Sequence, residues 1–203
     1  MTGCRKGYEA RPPLSGADSA RVVREVLAHR AEADSFFLHD RDSPFVNDTS
    51  IRFHGIRWYP PDPGFCLVSG LTYAEPPETV TIVGTKGDLR REIRAGYFTL
   101  RFPGGTSGGA SRQVFRLNAY RSPGSRELEL WFTDETTGKE TYHVGRYLDA
   151  GPESDDPAHL YELNFNNAFN PYCAYSSLYS CAVPRQEDHI PFRVTAGEMT
   201  YGE

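Results

Sequence analysis

The chain has 203 residues, a net charge of −5 and a mean hydropathy of −0.55. A chain of this size buries roughly 70% of its unfolded surface and needs no metal or disulfide framework to fold. The acidic balance without a basic stripe argues against nucleic acid as a partner, and the lack of a run of about 18 apolar residues argues against a membrane-spanning helix.

The opening, "MTGCRKGYEARPPLSG", carries charges but no apolar stretch, and Cys4 follows none. Neither a signal peptide nor a lipoprotein anchor is expected, which points to the cytoplasm. Residues 1–14 are polar and Pro-containing and are expected to form a loose arm, with 15–203 as a single β-rich domain. "SGADSARVVREVLAHRAEADSFF" predicts a helix over about 17–34, with Ser15 or Asp18 as cap and Val22, Val23, Val26, Leu27 and Arg30 on one stripe. "RDSPF" should then break it, because the residue before a proline avoids helical angles.

From Ile51 onward the pattern changes to short apolar or alternating runs separated by turn residues. "IRFHGIRWY", "FCLVSGLTY", "TVTIVG", "AGYFTLRF", "RQVFRLNAY", "RELELWF", "TYHVGRYL", "LYELNF" and "IPFRVTAG" predict strands; "PPDPG", "AEPPE" and "PGGTSGGAS" predict turns. In "RELELWF", Leu128, Leu130 and Phe132 share one face, with Glu127, Glu129 and Trp131 opposite. The expected fold is mainly β: a single antiparallel β-barrel or barrel-like sandwich with one N-terminal α-helix covering an opening or side.

No phosphate loop, Gly-x-Ser-x-Gly, zinc-protease or dinucleotide motif is present. Chemistry concentrates instead in two stretches. On a strand, "TYHVGRYLD" would put Tyr142, Val144 and Arg146 on one face and His143, Gly145 and Tyr147 on the other. Arg146 could grip an anionic group with its planar fork, or pair with a carboxylate to close the barrel. Histidine suits proton transfer near neutral pH, which makes His143 a candidate acid or base.

"NFNNAFNPYCAYSSLYSC" holds four asparagines and two cysteines. The spacing of Cys173 and Cys181 is poor for zinc, and a cytoplasmic setting is poor for a disulfide, so small core filling is the expected role. A zinc site with His159 or His189 stays open as an alternative. The amides fit either a rigid polar loop or a surface offered to a ligand.

These stretches resemble, in order and spacing, the bacterial and archaeal domain-of-unknown-function 1684 family. Phe132, Asp134, Thr136, Gly138, Glu140, Thr141, Tyr142, Gly145, Arg146, Tyr147, Leu148 and Asp149 match its first pattern. Phe165, Asn166, Ala168, Asn170, Pro171, Cys173, Ala174, Tyr175 and Cys181 match its second, and Ala196, Gly197 and Glu198 its closing Ala-Gly-Glu. The resemblance implies no reaction. Asn164 stands where the family has Asp, Asn167 where it has Arg, Phe169 replaces Tyr and Tyr172 replaces Pro. The joint loss of an acid and a base suggests a divergent member, recruited to bacterial specialised metabolism.

The expected site lies where "TYHVGRYLD", "NFNNAFNPYCAY" and "AGE" converge. Arg146, Tyr142, His143 and Tyr175 are the catalytic candidates; Asn164, Asn166, Asn167, Phe169, Tyr172, Trp131 and Glu198 are the ligand-binding ones, with Tyr97 as a further lining aromatic. The expected function is a small-molecule binder, and by preference an enzyme, doing acid–base chemistry without a cofactor or metal. Its substrate would be largely apolar with a polar or anionic head. A non-catalytic module is the alternative, marked by Arg146, Asp134 and Glu198 buried together. The sequence leaves the oligomeric state open, a homodimer included.

Overall fold

The computed structural model describes residues 16–103 and 113–202. The expected N-terminal arm, the Ser15 cap and all but Pro103 of "PGGTSGGAS" lie outside the described residues.

Helix α1 spans Gly16–His39, five residues beyond its expected end. Phe36 and Phe37 extend it. Phe37 is buried and its ring lies 5.0–5.6 Å from those of Phe45, Phe53 and Tyr175, so the last turn is held by packing that sequence periodicity did not show. Val22 and Val26 are fully buried in a cluster with Cys66, whereas Leu27 is 53% exposed despite its place in the apolar stripe. "RDSPF" does break the helix, but it starts another. Ser43 accepts a hydrogen bond from the Phe45 N–H at 3.1 Å and caps α2, Pro44–Asn47, with proline in its first turn.

Among the described residues seven strands follow: β1 (Cys66–Val83), β2 (Leu89–Phe102), β3 (Gln113–Arg121), β4 (Glu127–Asp134), β5 (Arg146–Pro152), β6 (Leu160–Asn164) and β7 (His189–Ile190). The sheet order is β5-β4-β3-β2-β1-β6, antiparallel throughout, with the short β7 parallel to β4. The two edges approach each other, and Tyr147 exchanges two 2.9 Å backbone hydrogen bonds with Phe169 just after β6. The protein is therefore mainly β, an antiparallel sheet nearly closed into a barrel with one N-terminal helical segment. Among the described residues no helix is long and apolar enough to cross a membrane.

Four predicted elements differ, the last of them the C-terminal segment described below. "IRFHGIRWY" is not a strand; only Trp58 bridges, to Glu198. "AEPPE" is not a turn: β1 runs through it, with a register shift between Tyr73 and Glu78 that absorbs the two prolines as a bulge. Gly96 faces this irregularity, and a Cβ there would stand 2.1 Å from the Thr72 carbonyl oxygen. "TYHVGRYL" begins as a strand only at Arg146; Tyr142 to Gly145 form a turn closed by Gly145 N–H to Tyr142 O at 3.1 Å. The expected alternation of Tyr142, Val144 and Arg146 on one face is accordingly wrong.

The alternation of β4 is borne out on the inner side. Leu128, Leu130 and Phe132 are at most 1% exposed, packed with Phe98, Leu117, Leu163 and Phe165. The opposite face is not simply polar. Trp131 is 4% exposed and joins Tyr120, Tyr147, Val80, Ile82, Cys181 and Ala182 in a second cluster. Residues beyond β6 fold back over this outer face, so "outward" on β4 does not mean solvated.

A C-terminal strap, residues 191–199, replaces the expected strand "IPFRVTAG". It is held by backbone pairs: Tyr59 N–H to Gly197 O at 3.0 Å, Glu198 N–H to Ala168 O at 2.8 Å and Met199 N–H to Arg57 O at 2.8 Å. Gly197 has φ +81°, and a Cβ there would meet the Ala168 carbonyl oxygen at 2.5 Å, so only glycine lets the strap lie this close. Arg146, 1% exposed, donates into the strap: one guanidinium nitrogen to Ala196 O and to Glu198 O at 3.3 Å, the other to Val194 O at 2.9 Å. Asp134 Oδ1 stands 3.5 Å from the second nitrogen, and its carboxylate also accepts from Val194 N–H at 2.6 Å and from the Thr136 and Thr137 hydroxyls. Arg146→Ala would leave the Asp134 charge buried and three carbonyls without donors. The expected loss is about 3–5 kcal/mol, measured by urea unfolding, and Arg146→Lys should recover only part of it because an ammonium lacks the planar fork.

Candidate functional site

An open groove of about 680 Å³ lies on the outer face of the barrel. One wall is the hairpin tip between β1 and β2, Gly84 to Lys86. The other comprises Thr133, the Tyr142–Val144 turn, Cys173, Ser177, Tyr179, Val183 and Pro184. Two of the expected catalytic residues, Tyr142 and His143, therefore line a real concavity, placed there by the turn that replaced their predicted strand. His143 is exposed, with its ring centroid 4.5 Å from that of Tyr142.

Behind them the two cysteines meet. Tyr142 OH donates to Cys173 O at 3.1 Å and lies 3.6 Å from Cys173 Sγ. The Cys173 N–H donates to Cys181 Sγ at 3.2 Å, and the Cys181 N–H to Thr85 Oγ1 at 3.1 Å. Both cysteines are unpaired thiols. The Cys181 thiol donates to the Cys173 sulfur and pulls Cys173 down to about 6, helped by Tyr142 and Thr85 and opposed by burial. The same contact pushes Cys181 up, while burial, followed by the neighbouring Cys173, raises Tyr142.

The remaining candidates lie elsewhere. Arg146 is enclosed, with its donors directed at the strap, and presents none to the groove. This geometry replaces the expected grip on an anionic head. Burial lowers the Arg146 pKa, partly offset by Asp134. Tyr175 is buried in the aromatic cluster of Phe37, Phe45 and Tyr201, with its hydroxyl on Glu198. Trp131 stacks on Tyr120 at 4.7 Å and donates to Glu129 at 2.9 Å. Tyr97 lies under the Arg116 guanidinium, and Phe169 packs on Tyr147. Tyr172 packs against Phe36 and Tyr179, behind the groove wall.

Asn166 acts as an architectural clamp: its Oδ1 accepts from Asp62 N–H and its Nδ2 donates to Asp62 O, both at 2.8 Å. Asn164 Oδ1 accepts from the Asn166 N–H and Nδ2, so it caps this turn. These contacts fix "PPDPG" to the loop after β6. Asn170 donates through Nδ2 to Met199 O at 2.9 Å, and its N–H to Glu198 Oε2 at 2.9 Å.

A second polar assembly lies under α1. Arg30 stands 4.8 Å over the Trp58 ring, and it and Asp34 act electrostatically on Glu198. Arg30 Nε, Asp34 Oδ1, Trp58 Nε1, Asn167 Oδ1 and Asn170 Oδ1 are buried without hydrogen-bond partners, an arrangement suited to ordered water.

Sequence reasoning missed Lys86, Thr85, Ser177 and Tyr179 as groove residues. They reach it only through the pairing of β1 with β2 and the return of the 173–184 segment. Cys173, expected to fill core, is half-exposed on the groove wall. No group of three or more His, Cys, Asp or Glu side chains able to hold a metal is present among the described residues. Among the described residues, Cys173 and Cys181 are thus without a third ligand beside them. His159 packs on Tyr161 and His189 bonds Thr133.

Residues 51–199 match the family described as Protein of unknown function (DUF1684). The chain belongs to that family. The matched span holds the groove, Arg146 and the strap, but begins after α1 and α2. No curated protein matches the chain. Among solved structures, the solution NMR structure of the uncharacterized protein from gene locus rrnAC0354 of Haloarcula marismortui is similar, at 30% identity and a TM-score of 0.66. The match covers 92% of this chain and 98% of that one. The DUF1684 barrel is thus shared with an archaeal protein, along with nearly the whole chain length.

Glu198 makes this arrangement pH-dependent. Burial lifts it to about 7, against the hydrogen bonds from Tyr175 and Asn170. The unfolded chain ionises it near 4.5, so the folded state holds the extra proton in between. Its stabilising effect is complete below pH 4.5 and lost as pH rises through about 7, a change of about 3 kcal/mol at most. Glu198→Gln should flatten this dependence in urea unfolding measured from pH 4 to pH 8.

Proposed function

We propose that the chain binds a small molecule in the groove between the Gly84–Lys86 tip and the 142–144 and 173–184 segments. The observation that carries this reading is the meeting of Tyr142, His143 and Cys173 on one open concavity of about 680 Å³. Val144, Tyr179, Val183 and Pro184 offer apolar surface for the body of the ligand. The Lys86 ammonium, which donates to Leu178 O at 3.0 Å, and the exposed His143 suit a polar or anionic head, the role first expected of Arg146.

Acid–base chemistry without a cofactor would use Tyr142, which burial keeps protonated, and His143 beside it. A setting in bacterial specialised metabolism rests on the Asn164 and Asn167 departures alone. A second reading, a binding module without catalysis, is favoured by the burial of Arg146, Asp134 and Glu198 at 1–2% exposure in structural contacts.

The test is a fragment screen of aromatic and aliphatic carboxylates by heteronuclear NMR. Hits should shift the amides of 84–86, 142–144 and 177–183, and Ser177→Trp, which fills the groove, should weaken them at least about tenfold, or about 1.4 kcal/mol. Hits that cluster elsewhere, or that survive Ser177→Trp unchanged, would overturn it.

A further inference from the structure

In the binding role described above Cys173 only lines the groove, and Cys181 takes no part. Their geometry is nonetheless specific. Cys173 is half-exposed on the groove wall, and Cys181, 8% exposed, lies directly behind it. The Cys173 amide donates to Cys181 Sγ at 3.2 Å, which holds the two residues in contact. The Tyr142 hydroxyl is 3.6 Å from Cys173 Sγ, and Thr85 fixes the Cys181 backbone. One cysteine thus lies on the groove wall with a hydroxyl donor 3.6 Å from its sulfur; the other is shielded, with its sulfur held against the first one's backbone.

We propose that Cys173 and Cys181 form a hydroperoxide-reactive dithiol, with Cys173 as the attacking sulfur and Cys181 as the resolving one. Thiolate, not thiol, attacks peroxides, and donors to sulfur favour the thiolate. The contacts that pull Cys173 down to about 6 keep it largely ionised at neutral pH, while Cys181 keeps its proton.

The chemistry balances in two steps. The Cys173 thiolate attacks the terminal oxygen of a hydroperoxide, R–O–O–H. The O–O bond breaks, Cys173 becomes a sulfenic acid, and the alkoxide takes a proton to leave as the alcohol. Cys181 sulfur then attacks Cys173 sulfur. The S–O bond breaks, and hydroxide leaves as water with the Cys181 proton. Two thiols lose two electrons and two protons; one hydroperoxide yields alcohol and water. A small-molecule dithiol returns the pair to the reduced state by exchange. The bond closes the loop from Ala174 to Ser180, which carries Ser177 and Tyr179 of the groove wall.

The test uses the full chain, reduced, then exposed to hydrogen peroxide or cumene hydroperoxide at neutral pH. Peptide mapping should show loss of two hydrogens and a 173–181 cross-link, reversed by dithiothreitol. The cross-link should form at least about tenfold faster than glutathione oxidises under the same conditions. In Cys181→Ser or Cys181→Ala, dimedone should trap a sulfenic acid on Cys173; in Cys173→Ser no adduct should form on Cys181. Tyr142→Phe should slow the reaction several-fold.

Absence of the cross-link in the wild-type chain overturns the proposal, as does oxidation of Cys4 or Cys66 at the same rate. The wild-type mapping is decisive even if a variant fails to fold. The reaction needs no ligand in the groove. Failure of the carboxylate screen with a positive cross-link would remove the binding role and leave the dithiol, and the reverse result would do the opposite.

Discussion

The guanidinium of Arg146 organises this molecule. Strap residues 194–198 have no strand ladder to satisfy their carbonyls, and Arg146 supplies donors to three of them from inside the barrel wall. Its charge is balanced by Asp134, whose carboxylate also holds Val194 N–H and two threonine hydroxyls of the next turn. A single buried pair therefore ties β4, β5, the 134–141 turn and the C-terminus together. Such a pair need not be worth much against an apolar replacement, but removing one member is expensive, which makes the pair a device for specifying one arrangement.

The groove depends on that arrangement at one remove. Gly145 and Arg146 mark where the Tyr142–Val144 turn becomes β5, so the position of Arg146 sets that of Tyr142 and His143. The 169–183 segment is held from the other side. Tyr147 pairs with Phe169 through the backbone and donates its hydroxyl to Ala182 O at 2.6 Å. The second hydrophobic cluster, built on Trp131, Tyr120 and Tyr147, then supports the cysteines from below. The outer face of β4 is thus the floor of the site.

Much of the fold was legible in the sequence. The 3.6-residue stripe of α1, Leu27 excepted, the β-rich remainder and the inner face of β4 follow from local periodicity and hold. The misassigned segments are those where tertiary contacts overrule local pattern. The two prolines of "AEPPE" signal a turn, but a bulge accommodates them inside β1. "TYHVGRYL" alternates like a strand, yet its first half turns at Gly145, whose φ of +128° and hydrogen bond to Tyr142 O close the turn. The candidate site was legible only in part. Tyr142 and His143 do line a concavity, but Arg146, Trp131 and Tyr175 are large polar or aromatic side chains used for packing, and sequence alone does not separate that use from display to a ligand. Lys86, Ser177 and Tyr179 carry no local signal, since their meeting depends on β1–β2 pairing and a long return of the chain.

Arg146 pins the strap. Native-state hydrogen exchange in Arg146→Lys measures it most directly. The amides of Val194, Glu198 and Tyr59, which close the strap onto the barrel, should lose protection first, while β2 and β3 amides such as Phe98 and Leu117 keep theirs. Unchanged protection across the strap, or an equal loss throughout the sheet, would contradict the account.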